Sequence, residues 1–200
     1  MDPKEKQCLQ GSNDEVRGQS LLRINPAKAA GAFSDALRLS SVERKTNRAL
    51  LLAERAEAHR RAGNDSGAEQ DLRAALAALH AEELEILHPR KRGSGEEIWS
   101  AYFSRFPATY QTLIQQLLNE NRQDEAFDYA ERQRAFEPLY LASETAPDGF
   151  DGTPKSLAAI RQSLPSGTLL IEYSFLGDHA IAWLVSRDFF QAVPLAMPSR

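Results

Sequence analysis

The sequence predicts a mainly α-helical protein that ends in a short antiparallel β-meander. No proline falls between Pro26 and Pro89, and only Gly31, Gly63 and Gly67 interrupt the Ala-, Leu-, Glu- and Arg-rich stretch between them, a composition that favours helix. Aromatic residues are absent from Ser34 through Ile98, so these helices must pack closely through Ala and Leu. Beyond Thr153 the residues shift to Val, Ile, Tyr, Phe and Trp, and the apolar period shortens towards two.

Taken in order, the first twenty residues are polar and mixed in sign, which predicts a disordered tail over residues 1–20. Pro26 opens a helix with Ala29, Ala32, Phe33, Ala36 and Leu37 on one face. Ser40 and Glu43 have the spacing of a capping box, and the helix they begin runs to a stop at Gly63. Asp65 is placed to cap the next helix, which carries Ala68, Leu72, Ala75, Leu76 and Leu79 and continues to about Leu87. The segment His88–Gly93 breaks it, and Ser94 with Glu97 suggests another capped start before Ile98 and Trp99. Trp99, Tyr102, Phe103 and Phe106 recur at helical spacing, as core residues do. Two further helices are predicted over about 108–119 and 123–136, the second ending before Pro138. After an acidic, linker-like patch over 142–153, Thr153-Pro154 starts a short helix with Leu157, Ile160 and Leu164 on its buried stripe. Pro165-Ser166-Gly167 turns the chain into a strand over 168–175. Gly177-Asp178 makes a tight turn into a partner over 179–186, and 189–193 offers a third strand.

Composition excludes several classes. Hydrophobic residues make up 42% and charged residues 26%, enough apolar content for a packed core. The net charge of −4, from 24 basic and 28 acidic residues, lacks the basic surplus of a nucleic-acid binder. No apolar run approaches the length of a membrane span, and the polar first twenty residues have no apolar stretch to serve as a signal peptide. A single cysteine, Cys8, rules out an internal disulfide and suits a reducing compartment. The expectation is a soluble cytoplasmic protein with protein partners, and with neither nucleic acid nor membrane as a partner.

The stretch from Asn47 to Leu79 has the pattern Leu52, Ala56, His59, Gly63, Ala68, Leu72, Ala75, with small residues where two antiparallel helices would cross and a glycine at their turn. That spacing resembles a tetratricopeptide repeat, a helical hairpin of roughly 34 residues. Ala29, Phe33 and Ala36 repeat the offsets of Ala68, Leu72 and Ala75, and Ala126 with Ala130 makes a looser later unit. The intervals Ala29–Ala68 and Ala68–Ala126 are 39 and 58 residues, so the array is irregular, and His59 stands where the family usually has an aromatic. An ordinary helical bundle that uses Ala at its crossings is the alternative.

A second resemblance lies further along. Ile160, Leu164-Pro165, Gly167-Thr168, Leu170, Glu172-Tyr173, Ala182-Trp183 and Val185 together resemble the opening of a CHAT domain, the caspase-like domain commonly placed behind tetratricopeptide repeats. The helix over 124–135 is similar to the one that usually precedes such a domain, so the match covers about residues 108–195. The resulting division is a polar tail over 1–20, helical repeats over 21–141, a linker over 142–153, and over 154–200 the N-terminal part of a CHAT-like domain.

The resemblance implies a cysteine peptidase with a His base and a Cys nucleophile on loops of an α/β sheet. In the family both follow the opening meander, and no segment here matches either motif. No catalytic, cofactor-binding or metal-binding residue is therefore assigned: Cys8 reads as a free thiol, and His179 as part of a hairpin turn. His80 and His88 are eight apart, too far for a helical metal pair. Glu82-Glu83 and Glu96-Glu97 read as solvated helix faces, Arg90-Lys91-Arg92 as a solvated turn, and Gly93-Ser94-Gly95 lacks the Lys of a phosphate loop.

Two functions follow: the N-terminal portion of a CHAT-family peptidase with regulatory or docking helices, or a helical-repeat adaptor with an inactive CHAT remnant. Both predict no peptidase activity from this chain alone. Three strands are few for an α/β sheet, and both faces of the meander are apolar. A truncated product or a short degenerate homologue is expected, self-associating through an unfinished sheet edge over 168–175 or 189–193.

Overall fold

The computed structural model describes residues 3–39, 45–87, 106–142 and 153–196, with the backbone alone at 3–8, 45–47, 82–87 and 136–142. These residues form seven helices and one three-stranded antiparallel sheet, a mainly helical protein. The chain divides into two compact units, Met1–Ser94 and Gly95–Arg200. The boundary thus falls well before the acidic patch over 142–153, and the later helices share a unit with the sheet.

The first unit holds α1 (Pro3–Leu21), α2 (Pro26–Leu39), α3 (Lys45–Arg61) and α4 (Asp65–Leu87). Residues 3–20 are helical, which corrects the expectation of a disordered tail. The reason is a seam without apolar side chains. Gly11, Asp14 and Gly18 recur at helical spacing, and Asp14 and Gly18 are buried, whereas Leu9 and Val16 point outward. A Cβ at Gly18 would lie 2.6 Å from the ring of Phe33, so α1 and α2 approach at a distance only glycine allows. Asn25 caps α2 by accepting from the Lys28 amide (3.1 Å), with Pro26 in the first helical position.

The turn between α3 and α4 follows from two residues. Gly63 has φ of 75°, and the Asn64 amide reaches back to the His59 carbonyl (2.9 Å), satisfying carbonyls that the helix end leaves open. The cap of α4 is Asn64, whose Oδ1 accepts from the Gly67 amide (3.1 Å), and not Asp65, which is the first helical residue. Ala29, Phe33, Leu51, Leu52, Ala58 and Ala75 are among the residues of one core joining α2, α3 and α4. Ala56 and Ala68 are also fully buried, as a close α3–α4 crossing requires. The capping pattern at Ser40–Glu43 and the whole stretch 88–105 lie outside the described residues.

The second unit holds α5 (Pro107–Asn119), α6 (Gln123–Ala142), α7 (Leu157–Ser163) and strands β1 (Leu170–Leu176), β2 (His179–Val185) and β3 (Phe190–Leu195). Asn121, at φ of 59°, takes at the end of α5 the place Gly63 takes after α3, and the Arg122 amide bonds the Leu117 carbonyl (2.8 Å). The expected stop before Pro138 is not observed: α6 continues to Ala142. A proline removes its own amide donor and disfavours helix, without always ending one. Likewise α7 begins after Ser156, whose side chain accepts from the Ala159 amide (3.3 Å), and not at Pro154.

The sheet order is β1-β2-β3, with Tyr173 opposite Ala182 and Ala182 opposite Val193. Trp183 is fully buried on the inner face. Phe127 of α6 meets it edge to face at 5.5 Å and meets Phe190 at 5.6 Å, while Trp183 and Phe190 stack at 6.3 Å. The buried indole N–H donates to Ser174 Oγ (2.8 Å), so no polar atom is stranded there. Among the described residues, no helix is long and apolar enough to cross a membrane.

Candidate functional site

Three places concentrate polar or exposed apolar groups. In the first unit, Arg55 of α3 projects between two helices. Its Nε and Nη2 donate to the two carboxylate oxygens of Asp71 on α4 (2.7 and 2.6 Å), and Nη1 donates to Ser34 Oγ on α2 (3.1 Å). The Ser34 hydroxyl in turn donates to the Ala30 carbonyl (2.8 Å). Asp71 is only 4% exposed, and His59 Nε2 lies 3.7 Å from it while Asn64 meets the other ring nitrogen at 3.1 Å. The planar guanidinium suits this role because its fork matches a carboxylate and still has a donor to spare. Burying such a pair gains little net stability, but losing one partner strands a charge. The network fixes three helices in register. His59, which replaces the aromatic expected of the repeat, belongs to it.

In the second unit, Arg134 of α6 bridges Glu131 on its own helix and Glu172 on β1. Burial raises the Glu131 carboxyl from the usual 4.5 to about 7; Arg134 opposes the shift and the neighbouring Glu172 and Asp128 add to it. Asp128 also accepts from the Leu157 amide (2.8 Å), closing the start of α7. This cluster joins helix to sheet through one cation and a carboxyl poised to hold a proton near neutrality.

The third place is the outer face of the sheet. Leu169, just before β1, and Ile171, Tyr173 and Phe175 along it are 51%, 47%, 56% and 63% exposed, while the residues between them point inward. Their neighbours across β2 are Leu184, Ala182 and Ala180, and beyond these lie Val193 and Leu195. Large apolar side chains at an exposed sheet face are an interaction feature.

The residues weighed for chemistry are not gathered together. His179 sits exposed at the β1–β2 turn, with Nδ1 on the Asp178 carboxylate. Cys8 and His80 lie on α1 and α4, and His88 and Arg90–Arg92 lie outside the described residues, as do the Glu82-Glu83 side chains. No group of three His, Cys, Asp or Glu side chains able to hold a metal occurs among the described residues. The Arg55–Asp71 and Arg134–Glu172 pairs escape a sequence reading because their members lie 16 and 38 positions apart along the chain, on different elements. The chain matches no protein-family model, no curated protein and no solved structure.

Proposed function

We propose that the chain is a protein-interaction adaptor whose helical hairpins, tetratricopeptide-like in spacing, dock a partner, joined to a unit that resembles the opening of a CHAT domain. The observation that carries this reading is the first unit's construction: close-packed hairpins locked by Arg55 across three helices, a rigid scaffold with a solvated exterior. Rigid scaffolds that present helix faces bind by shape, with a smaller ordering cost at the moment of binding. No step of catalysis is assigned to any residue.

A photo-crosslinking residue at Gly31, exposed on α2, tests the proposal against one at Gln162, exposed on α7. The adaptor reading expects one prevailing partner from the α2 position. Crosslinks from Gln162 alone would overturn it, as would peptide hydrolysis abolished by Cys8→Ala. The second reading, the N-terminal portion of a CHAT-like cysteine peptidase, draws on the order of the short helix α7 and the β1–β2–β3 meander behind α6. A coding sequence that continues past Arg200 into a His segment and then a Cys segment, each after an apolar strand, would favour it.

A further inference from the structure

We infer that the outer face of the β-sheet is a pairing surface for a second copy of this chain, sheet against sheet. The proposal stands apart from partner docking by the helices, since it concerns only the second unit.

The sheet has two ways to recruit another chain, by its edges or by its face, and each edge is obstructed at part of its length. At β3, the Ala192 amide donates to Gln123 Oε1 of α6 (3.0 Å), so the backbone of Ala192 points away from β2. Pro194, two residues on, shares that outward direction and has no N–H to offer. At β1, the Phe175 carbonyl accepts from Gln111 Nε2 of α5 (3.2 Å). Helix side chains and a proline thus occupy positions where an added strand would need backbone partners.

The face has the opposite character. By register, the outward positions on the three strands are 171, 173 and 175, then 180, 182 and 184, then 191, 193 and 195. Not one of them is Asp, Glu, Lys, Arg or His. Ala180 and Ala182 occupy the middle strand and are buried, flanked by the larger side chains of β1 and β3. An uncharged face, apolar except for Gln191, fits its own copy: a two-fold axis sets members of this one set of residues against each other, and no pairing among them brings two like charges together. Sheets stacked this way sit about 10 Å apart with interdigitating side chains. A different partner chosen by charge would find nothing on this face to select it.

Area sets the strength. With whole aromatic side chains at about 150–250 Å² each, the half-exposed residues of this face offer roughly 500 Å² per copy. A pair would bury about 1,000 Å², the lower bound for a specific interface. A weak, reversible dimer follows.

Sedimentation equilibrium of the full chain from about 5 to 500 μM tests this, with near-ultraviolet signals of the buried Trp183 confirming the fold of each variant. The expected result is a reversible rise from 22.3 kDa towards twice that mass. Phe175→Lys and Phe175→Glu should each weaken association at least tenfold, and Gln162→Lys should leave it unchanged. Where a Phe175 variant does not fold, Tyr173→Lys and Tyr173→Glu take its place. A parent that stays monomeric throughout overturns the proposal, whether or not it then binds vesicles of neutral lipid. Charged variants that associate as the parent does overturn it too, and direct attention to an edge or to the helices.

Discussion

Gly18→Ala is the sharpest perturbation this fold offers, because two principles predict opposite signs for it. In a helix interior, replacing Gly by Ala gains about 1 kcal/mol through backbone propensity alone. At Gly18 the new methyl would sit 2.6–2.8 Å from three atoms of the Phe33 ring, and Phe33 is itself fully buried. Overpacking of this kind costs about 1–3 kcal/mol before the propensity gain is subtracted. The seam also holds Asp14 and the Arg17–Asp35 ion pair at 3.1 Å, which a displaced α1 would disturb. A net loss of about 1–2 kcal/mol is expected. Gly31→Ala is the matched control: Gly31 lies in α2, is exposed, and has nothing within 4 Å of the point its new methyl would occupy, so the propensity gain should emerge undiminished. Urea unfolding followed by far-ultraviolet circular dichroism separates the two, given equal m-values. If both variants are stabilised alike, α1 does not pack on α2 through Gly18, and the account of the N-terminal helix is wrong.

Ala56→Leu and Ala68→Leu should each cost about 1–3 kcal/mol by overpacking buried sites, while Ala62→Leu, in the exposed turn, should stay within about 0.5 kcal/mol of the parent; denaturant midpoints decide. Asp71→Ala removes the main partner of the Arg55 guanidinium, which keeps some solvent access and its bond to Ser34, and should cost about 1–3 kcal/mol, whereas a double variant that replaces Arg55 and Asp71 with apolar residues should recover part of that loss. Glu131 holds its proton more tightly when folded, at about 7 against the usual 4.5. Its contribution to stability is therefore full below about pH 4.5 and is lost as the pH rises through 7; Glu131→Gln should flatten that part of the stability–pH curve, and an unchanged slope would remove Glu131 as its source.

What the sequence determined by itself is local. The helix spacing, the positive-φ turn at Gly63, the Gly177-Asp178 hairpin and the three-strand meander are set by residues close together in the chain, where propensity, period and turn chemistry agree. The apolar faces of α2 and α4 were legible for the same reason: Ala29, Phe33, Ala36 and Leu72, Ala75, Leu79 repeat at helical spacing and are buried. Only the tertiary structure decided the rest. The α1 seam is made of Gly11, Asp14 and Gly18, so hydrophobic periodicity cannot see it; close backbone approach supplies the contact instead. Arg55 and Asp71, and Glu131 and Glu172, become partners only when separate elements pack, and burial, which raises the Glu131 carboxyl, is a property of the assembled unit. The face of β1 that carries Ile171, Tyr173 and Phe175 is wholly apolar, whereas the other mixes Leu170 and Leu176 with Glu172 and Ser174. Alternation separates them, but the arrival of α6 with Phe127 against Trp183 is what makes one the core and leaves the other open.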